Sequence, residues 1–160
     1  MRKADSLRRW LTAYIPDMKT HPDRMQIYVE GGTIASRQSR TLSYVYQYTL
    51  KVLICDFAGD TDTLMVPVLA WIAKEQPQLL RRQDSAPFTF EAELLDSETS
   101  DIEISIDLTE NRVVTARPNG SGYDIERPEE PSFVDAFEGV NASFSGIFAG
   151  HETLVPDPGV

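Results

Sequence analysis

The longest regular pattern in the chain runs from Leu42 to Cys55, where large apolar and tyrosine side chains alternate with smaller or polar ones. The larger side chains are those of Leu42, Tyr44, Tyr46, Tyr48, Leu50, Val52 and Ile54. A period of two sustained over this length predicts a β-strand. At about 3.3 Å per residue the strand spans roughly 45 Å, which is long for a small sheet. We therefore expect that part of it projects as a ribbon, or that another chain covers its edge.

Two other segments carry the three-and-four spacing of an amphipathic helix. The first covers about residues 5–15, and either Asp5 or Ser6 is a suitable N-cap. The second covers about residues 61–76. It contains Pro67, which a helix tolerates only within roughly its first turn, so the helix is expected to begin close to residue 61.

Shorter alternations predict the remaining strands. All the predicted strands, in chain order, are residues 25–30, 42–55, 88–94, 101–108, 112–116 and 123–127. Gly31 and Gly32 are expected to end the first strand, residues 17–23 to form a loop, and residues 36–40 to form a hairpin tip. The strands at 88–94 and 101–108 are apolar on one face and acidic on the other, as in a half-buried hairpin. The predicted class is therefore α+β, a mostly antiparallel sheet with two main helices packed on it.

Regular patterns stop near residue 127. The chain has 160 residues and 41% hydrophobic content, enough for one core, and we assign a single domain to residues 1–127. Residues 128–160 are expected to form a C-terminal arm that is extended or partly disordered. In the alternative interpretation the arm docks on a neighbouring subunit through its aromatic side chains, Phe133, Phe137, Phe144 and Phe148.

Charge is distributed unevenly along the chain. The net charge of -10 argues against the broad basic surface that nucleic-acid binding requires. Residues 1–51 carry nine Lys/Arg against four acids, and residues 52–160 carry six against 21. One interpretation is a solvated acidic face that aids solubility. The other is that opposite parts of the chain are complementary, as in copies that associate head to tail.

The sequence offers little catalytic chemistry. The two histidines, His21 and His151, lack the spacing of a zinc site, and no phosphate-binding loop or nucleophile elbow is present. Asp60 and Asp62 are better explained as helix caps than as ligands. Cys55 lies in the strand pattern and is expected to be a small buried hydrophobe. We therefore predict no catalytic residue, metal or cofactor, and neither a membrane span nor a secretory signal is indicated.

Two groups of strand residues remain as candidate surfaces. Five acids fall on one predicted strand face, which we interpret as a solvated or channel-lining face: Glu91, Glu93, Asp101, Glu103 and Asp107. The tyrosines of the long strand are expected to lie in the core or an interface. Trp10 and Trp71 are expected to anchor the two helices in the core.

Several separated motifs carry a family resemblance. Among them are Asp56-Phe-Ala-Gly-Asp60, Met65-Val-Pro-Val-Leu-Ala-Trp-Ile72 and Gln76-Pro-Gln-Leu-Leu80, preceded by similar segments at residues 3–13, 22–32 and 44–50. In this order they resemble the phage tail completion protein R family of contractile-tailed phages and prophages. The resemblance covers residues 3–127, and the arm departs from it.

The resemblance implies a structural virion protein, assembled in the bacterial host cytoplasm, that finishes the tail at its head-proximal end. By wider analogy with tail terminators it implies a six-fold ring. The expected partners are further copies of the chain, tail tube or sheath proteins and head–tail connector proteins, with DNA only as a passing cargo.

Charge pattern and resemblance together suggest a ring closed by a heterologous interface, with the five acids lining its lumen. The candidate interface residues are Arg37, Arg40, Tyr44, Tyr46 and Tyr48 with the four arm phenylalanines. Two alternatives remain, namely a monomeric tail-assembly adaptor or chaperone and a small carboxylate-dependent hydrolase.

Overall fold

The computed structural model describes residues 1–37, 40–81, 86–95, 98–129, 147–149 and 152–155. The helices are α1 (Arg2–Tyr14), α2 (Pro16–Thr20), α3 (Asp62–Glu75) and α4 (Gln78–Arg81), with a 3-10 turn at Pro22–Arg24. The strands are β1 (Met25–Ser36), β2 (Tyr44–Ala58), β3 (Thr89–Leu94), β4 (Thr99–Ala116), β5 (Tyr123–Glu126), β6 (Ile147–Ala149) and β7 (Glu152–Val155). The predicted α+β class is confirmed.

One antiparallel sheet forms the frame of the molecule. Its strand order is β1-β2-β4-β3, and β5 pairs with the far end of β4. The long strands β2 and β4 are therefore central, while β1 and β3 are the edges. Within the predicted arm, β6 and β7 form a separate two-stranded hairpin.

The hydrophobic core lies between one face of the sheet and the helices. Strands β2 and β4 contribute every second residue, and α1 and α3 contribute their apolar stripes. Trp71 is fully buried there, as predicted, whereas Trp10 lies at the core margin and donates from Nε1 to the Pro67 carbonyl at 2.9 Å. Burial of side chains of this size stabilises the fold by about 1.5–3 kcal/mol each.

Strand β2 is displaced from its predicted bounds. It begins at Tyr44 and continues to Ala58 through an irregularity between Ile54 and Phe57, where Asp56 has a φ of 50°. Both of its edges are paired within the chain, to β1 and to β4. The expectation that another chain covers this strand is therefore wrong. The projecting part is the β1–β2 hairpin, whose residues 31–37 are all exposed.

Strand β1 does not end at the two glycines. The register shifts between Val29 and Gly31, and pairing then continues to Ser36. A β-carbon at Gly32 would lie 2.8 Å from both the Gln47 carbonyl oxygen and the Tyr48 β-carbon. Glycine here therefore permits close approach of two strands rather than a turn.

The helices also differ from the predictions at their ends. Helix α1 begins at Arg2, so neither Asp5 nor Ser6 is its N-cap. Helix α2 occupies most of the predicted 17–23 loop, beginning at a proline that suits a first helical turn.

Helix α3 matches its prediction within one residue at each end. Asp60 supports its first turn, because one carboxylate oxygen accepts from the Asp62 amide at 2.9 Å. Pro67 lies beyond the first turn, so that expectation is wrong. The helix continues because its apolar residues on either side, Leu64 and Val68, are fully buried.

Strand β4 is one strand of 18 residues where the sequence predicts two. Residues 109–111 remain paired with β2, and the buried positions after Leu108 are taken by Glu110 and Arg112. The β3–β4 and β4–β5 hairpins are confirmed. The half-burial predicted for β3 is wrong, since all six of its residues are exposed at the sheet edge.

Candidate functional site

The predicted acidic face exists. Glu91 lies opposite Glu103 and Glu93 opposite Asp101, so these four side chains share the face turned away from the helices. Asp107 lies further along β4 with the same parity. The structure therefore brings the five predicted acids onto one surface, which we call the open face.

The open face is only partly negative, because Lys51 lies within it. Its ammonium donates to a carboxylate oxygen of Glu103 at 2.7 Å and lies 3.8 Å from Glu30. Tyr28 donates to the other oxygen of Glu103 at 3.2 Å. The Lys51 hydrogen bond lowers the pKa of Glu103 and raises that of Lys51. A carboxylate held ionised in this way is poorly suited to general acid catalysis, which weakens the hydrolase alternative.

Two further acids of this face, Asp107 and Asp101, accept local hydrogen bonds. Asp107 accepts from the Thr49 hydroxyl at 2.7 Å, and Asp101 accepts from the Asp56 amide at 2.9 Å. These contacts hold the strands in register.

The tyrosine row divides between core and margin. Tyr48 is buried, while Tyr44 and Tyr46 are half-buried with their ring centroids 5.2 Å apart. Arg37 and Arg40 are exposed in the connection between β1 and β2. The predicted Phe133, Phe137 and Phe144 lie outside the described residues, as does the side chain of Phe148 in β6.

A buried polar cluster, which sequence patterns did not predict, joins α1, α3, β2 and β4. Glu110 is at its centre: one oxygen accepts from the Tyr48 hydroxyl at 2.6 Å and from the Lys3 amide at 3.3 Å, and the other pairs with Arg112. The Lys3 ammonium donates to the Thr109 carbonyl at 2.7 Å and to the side chain of Gln76.

Burial and hydrogen bonds shift the pKa values of Glu110 and Tyr48 in opposite directions. Burial alone would raise the pKa of Glu110, but hydrogen bonds from Arg112, Tyr48 and the Lys3 amide outweigh it and hold the pKa below its ordinary value. Burial, followed by the bond to Glu110, raises the pKa of Tyr48. Glu110 is therefore ionised and its charge is internally compensated.

A cavity of about 340 Å³ opens beside this cluster. We call it the basic cavity, because six Lys/Arg and three Glu line it together with Ser6, Asn111 and Pro128: Arg2, Lys3, Arg9, Lys74, Arg112 and Arg127, with Glu75, Glu110 and Glu129. One feature of the sequence could have indicated this cavity. Glu110 and Arg112 continue the alternation of Ile104, Ile106 and Leu108, and charges at inward positions require partners.

The edge strand β3 exposes apolar side chains. Phe90 is 55% exposed and Leu94 82% exposed, and Leu95, which follows the strand, is 49% exposed. Phe90 lies opposite Ile104, a core residue, so the apolar row of β3 extends the core face beyond the helices. Edge strands that display such residues are common sites of association.

The described residues contain no group of three or more potential metal ligands and no helix long and apolar enough to cross a membrane. Cys55 is half-buried rather than buried as predicted. Burial raises the pKa of its thiol, which disfavours a nucleophilic role.

Comparison with known proteins gives two matches. The sequence model of a family described as P2 phage tail completion protein R (GpR) matches residues 1–131. Over 117 residues the chain is 44% identical to the "Tail completion protein R" of Escherichia phage P2, covering 72% of this chain and 76% of that protein. No solved structure gives a significant match.

Proposed function

Because the chain belongs to the P2 phage tail completion protein R family, and is thus a structural protein of the phage tail, we propose that it caps the head-proximal end of a contractile tail. In this proposal it acts as a hexameric ring and prepares the tail end for head joining. Its partners are neighbouring copies, the tail tube or sheath and the head–tail connector.

The observation that carries this proposal is the open edge of β3. The sheet ends at β1 on one side and at β3 on the other, and the two edges differ in sequence and exposure. A contact that joins unlike surfaces is heterologous, and repetition with a suitable rotation closes a ring. Exposed Phe90 and Leu94 supply apolar area for such a contact.

The ring proposal gives the open face a role in the lumen. Asp101 and Asp107 on the central strand β4 would repel the DNA phosphates, so that DNA passes without sticking, whereas Glu91 and Glu93 lie on the edge strand β3 that forms the subunit contact. Lys51 neutralises Glu103 and so reduces the repulsion at that point.

The β1–β2 hairpin is the proposed contact to tube or connector. It projects beyond the helices and carries exposed Ile34, Arg37 and Arg40 at its end. The half-buried Tyr44 and Tyr46 pair with Ser36 and Ile34 near the same end, where a partner would complete their burial.

The proposal is tested by measuring the mass of the assembled particle and the recovery of head joining. Light scattering of the purified chain, alone and with tail tubes, should give a six-fold species at tube ends, and adding the chain to tails that lack it should restore head joining. Leu94→Asp should abolish both without changing the thermal midpoint of the dilute monomer, because the side chain is 82% exposed.

Tyr123→Asp is the matched control for this test, since Tyr123 is 59% exposed on β5, away from the β3 edge. It should assemble and complete tails normally. A strict monomer that never associates with tubes would overturn the ring and favour the adaptor or chaperone.

A further inference from the structure

The basic cavity has positive charge that the described part of the chain does not neutralise. Glu110 is paired with Arg112, and Glu75 accepts from the Ser6 hydroxyl at 3.2 Å. Four exposed cations at the rim make no ion pair with any carboxylate of the described residues: Arg2, Arg9, Lys74 and Arg127. In a chain of net charge -10, four such cations around one cavity indicate a site for an anion.

The floor of the cavity consists of buried side chains with defined hydrogen-bond partners. Lys3 is 6% exposed and Arg112 8% exposed, and both are held by Glu110 or Thr109. This floor fixes the position of α1, which carries the rim arginines Arg2 and Arg9, relative to β4. Arginine side chains match the geometry of a carboxylate with paired hydrogen bonds.

The same chain carries unsatisfied carboxylates elsewhere. Glu91 and Glu93 on β3 are exposed, make no ion pair with a described cation, and lie opposite the acids Glu103 and Asp101. No Lys or Arg occurs between residues 83 and 111. Like charges directly opposite each other on paired strands are unfavourable, so a cationic partner would stabilise this edge.

One copy cannot join its own two surfaces. Glu91 is opposite Glu103, and the cavity reaches β4 only at residues 110–112. Eight residues of strand separate Glu103 from Asn111, which is about 26 Å. In addition, Glu91 lies on the open face, whereas Lys3 and Glu110 lie on the helix side.

We propose that the basic cavity is a carboxylate-binding site that receives the acidic β3 edge, Glu91 and Glu93, of a second copy of the chain. This inference rests on the proposed ring and names its two contacting surfaces. Because donor and acceptor lie at opposite ends of the molecule, the contact is head to tail and every subunit uses both surfaces once.

The test is a pair of charge-reversed variants of the full chain. Arg2→Glu/Arg9→Glu makes the cavity acidic, and Glu91→Lys/Glu93→Lys makes the edge basic. Each alone should weaken self-association by about tenfold or more in sedimentation, because attraction becomes repulsion. Mixed in equal amounts, they should assemble again as alternating rings, since each then meets its complement.

Lys19→Glu is the matched control, an exposed cation on α2 outside the cavity. It should associate like the unmodified chain and show the same fall in affinity between about 50 and 500 mM salt. At concentrations low enough for the unmodified chain to be a monomer, circular dichroism should give the same thermal midpoint for all variants, because Arg2, Arg9, Glu91 and Glu93 are exposed.

Two results would overturn the inference while leaving the ring intact. In the first, the unmodified chain forms rings and both reversed variants do so equally well. In the second, the mixture fails to recover, and Arg2→Glu/Arg9→Glu loses binding to a short DNA duplex, which would make the cavity a phosphate site. If the unmodified chain itself never associates, the ring proposal fails and this site fails with it.

Discussion

Strand β4 passes through two different environments on the same face of the sheet. Its first half places Ile104 and Ile106 beneath the helices, fully buried among apolar neighbours. Its second half places Glu110 and Arg112 at equally inward positions, buried to 4% and 8% exposure but paired with each other. The apolar half is stabilised by removing its side chains from water. The charged half is stable only when each buried charge has a specific partner.

The two halves of β4 therefore have different roles, since one stabilises the core and the other lies beside the proposed binding surface. The apolar half can accept other apolar side chains of similar volume, and it packs against the core. The charged half fixes the relative positions of α1, β2 and β4, and the basic cavity opens beside it. We infer that the fold places its binding surface where the apolar core ends.

The largest loss of stability is expected in the apolar half. Ile104→Ala should lower the free energy of unfolding by about 3–4 kcal/mol, because it removes fully buried methyl groups and leaves a cavity. Urea titration followed by circular dichroism measures it, with Ile104→Val expected to cost about 1 kcal/mol. Equal costs for the two variants would contradict the packing described for this half.

A slightly smaller loss is expected in the charged half. Glu110→Ala should cost about 3 kcal/mol near neutral pH, because Arg112 and the Tyr48 hydroxyl lose their acceptor while buried. The pKa of Glu110 is lower in the folded chain than in the unfolded chain. Its contribution is therefore present above the ordinary glutamate pKa of 4.5 and is lost as pH falls through the folded value.

Urea titrations at several pH values measure the difference in free energy of unfolding between the unmodified chain and Glu110→Ala. This gap in free energy should narrow below about pH 4.5. Ile104→Ala serves as the control, since its gap should not depend on the titration of Glu110. A gap that is constant down to pH 2 would show that the Glu110 carboxylate is not the source of the cost.

Gly32→Ala should cost about 1–2 kcal/mol, because the new methyl group would meet the Gln47 carbonyl and the Tyr48 β-carbon at 2.8 Å. Displacement of Tyr48 would also disturb its bond to Glu110. Gly31→Ala is the control, since nothing lies within 4 Å of its β-carbon position. Thermal melts of the two variants should differ, and identical melts would argue against close strand approach at Gly32.

The smallest change is expected when both charges are removed together. Glu110→Leu/Arg112→Met should remain within about 1 kcal/mol of the unmodified chain, because neither charge of the pair is left buried alone and the new apolar packing offsets the acceptor that the Tyr48 hydroxyl and the Lys3 amide lose. The measurement is the same urea titration, compared with Glu110→Ala. A double variant as unstable as the single one would mean that the charged half depends on more than this pair.

Sequence patterns predicted the parts of the fold that apolar periodicity governs. Helix α3 and the β3–β4 hairpin follow from alternation and spacing, and the buried residues of β2 follow from its period of two. The same reasoning divided β4 near Leu108, because a charged residue at an inward position ends an apolar pattern although the backbone pairing continues.

The candidate site was predicted less well than the fold. The acidic face appeared because its residues lie on neighbouring strands with a simple period. The basic cavity did not, because Arg2, Lys74 and Arg127 are far apart in sequence and meet only after α1 and α3 pack on the sheet. The sequence did not predict that β1 extends past Gly31, because glycine occurs both in turns and where two strands approach closely.

The sequence by itself determined the class of fold and most core-facing residues, because burial of periodic apolar side chains is a local property repeated along the chain. Its separated motifs indicated the family through resemblance, independently of that periodicity. Only the tertiary structure decided that β4 is one strand, that Lys3 and Glu110 are buried partners and that a cavity gathers rim cations with which no carboxylate of the described residues pairs. These features depend on electrostatic contacts between segments distant in sequence, and such contacts form only when the packed helices remove water from charged groups.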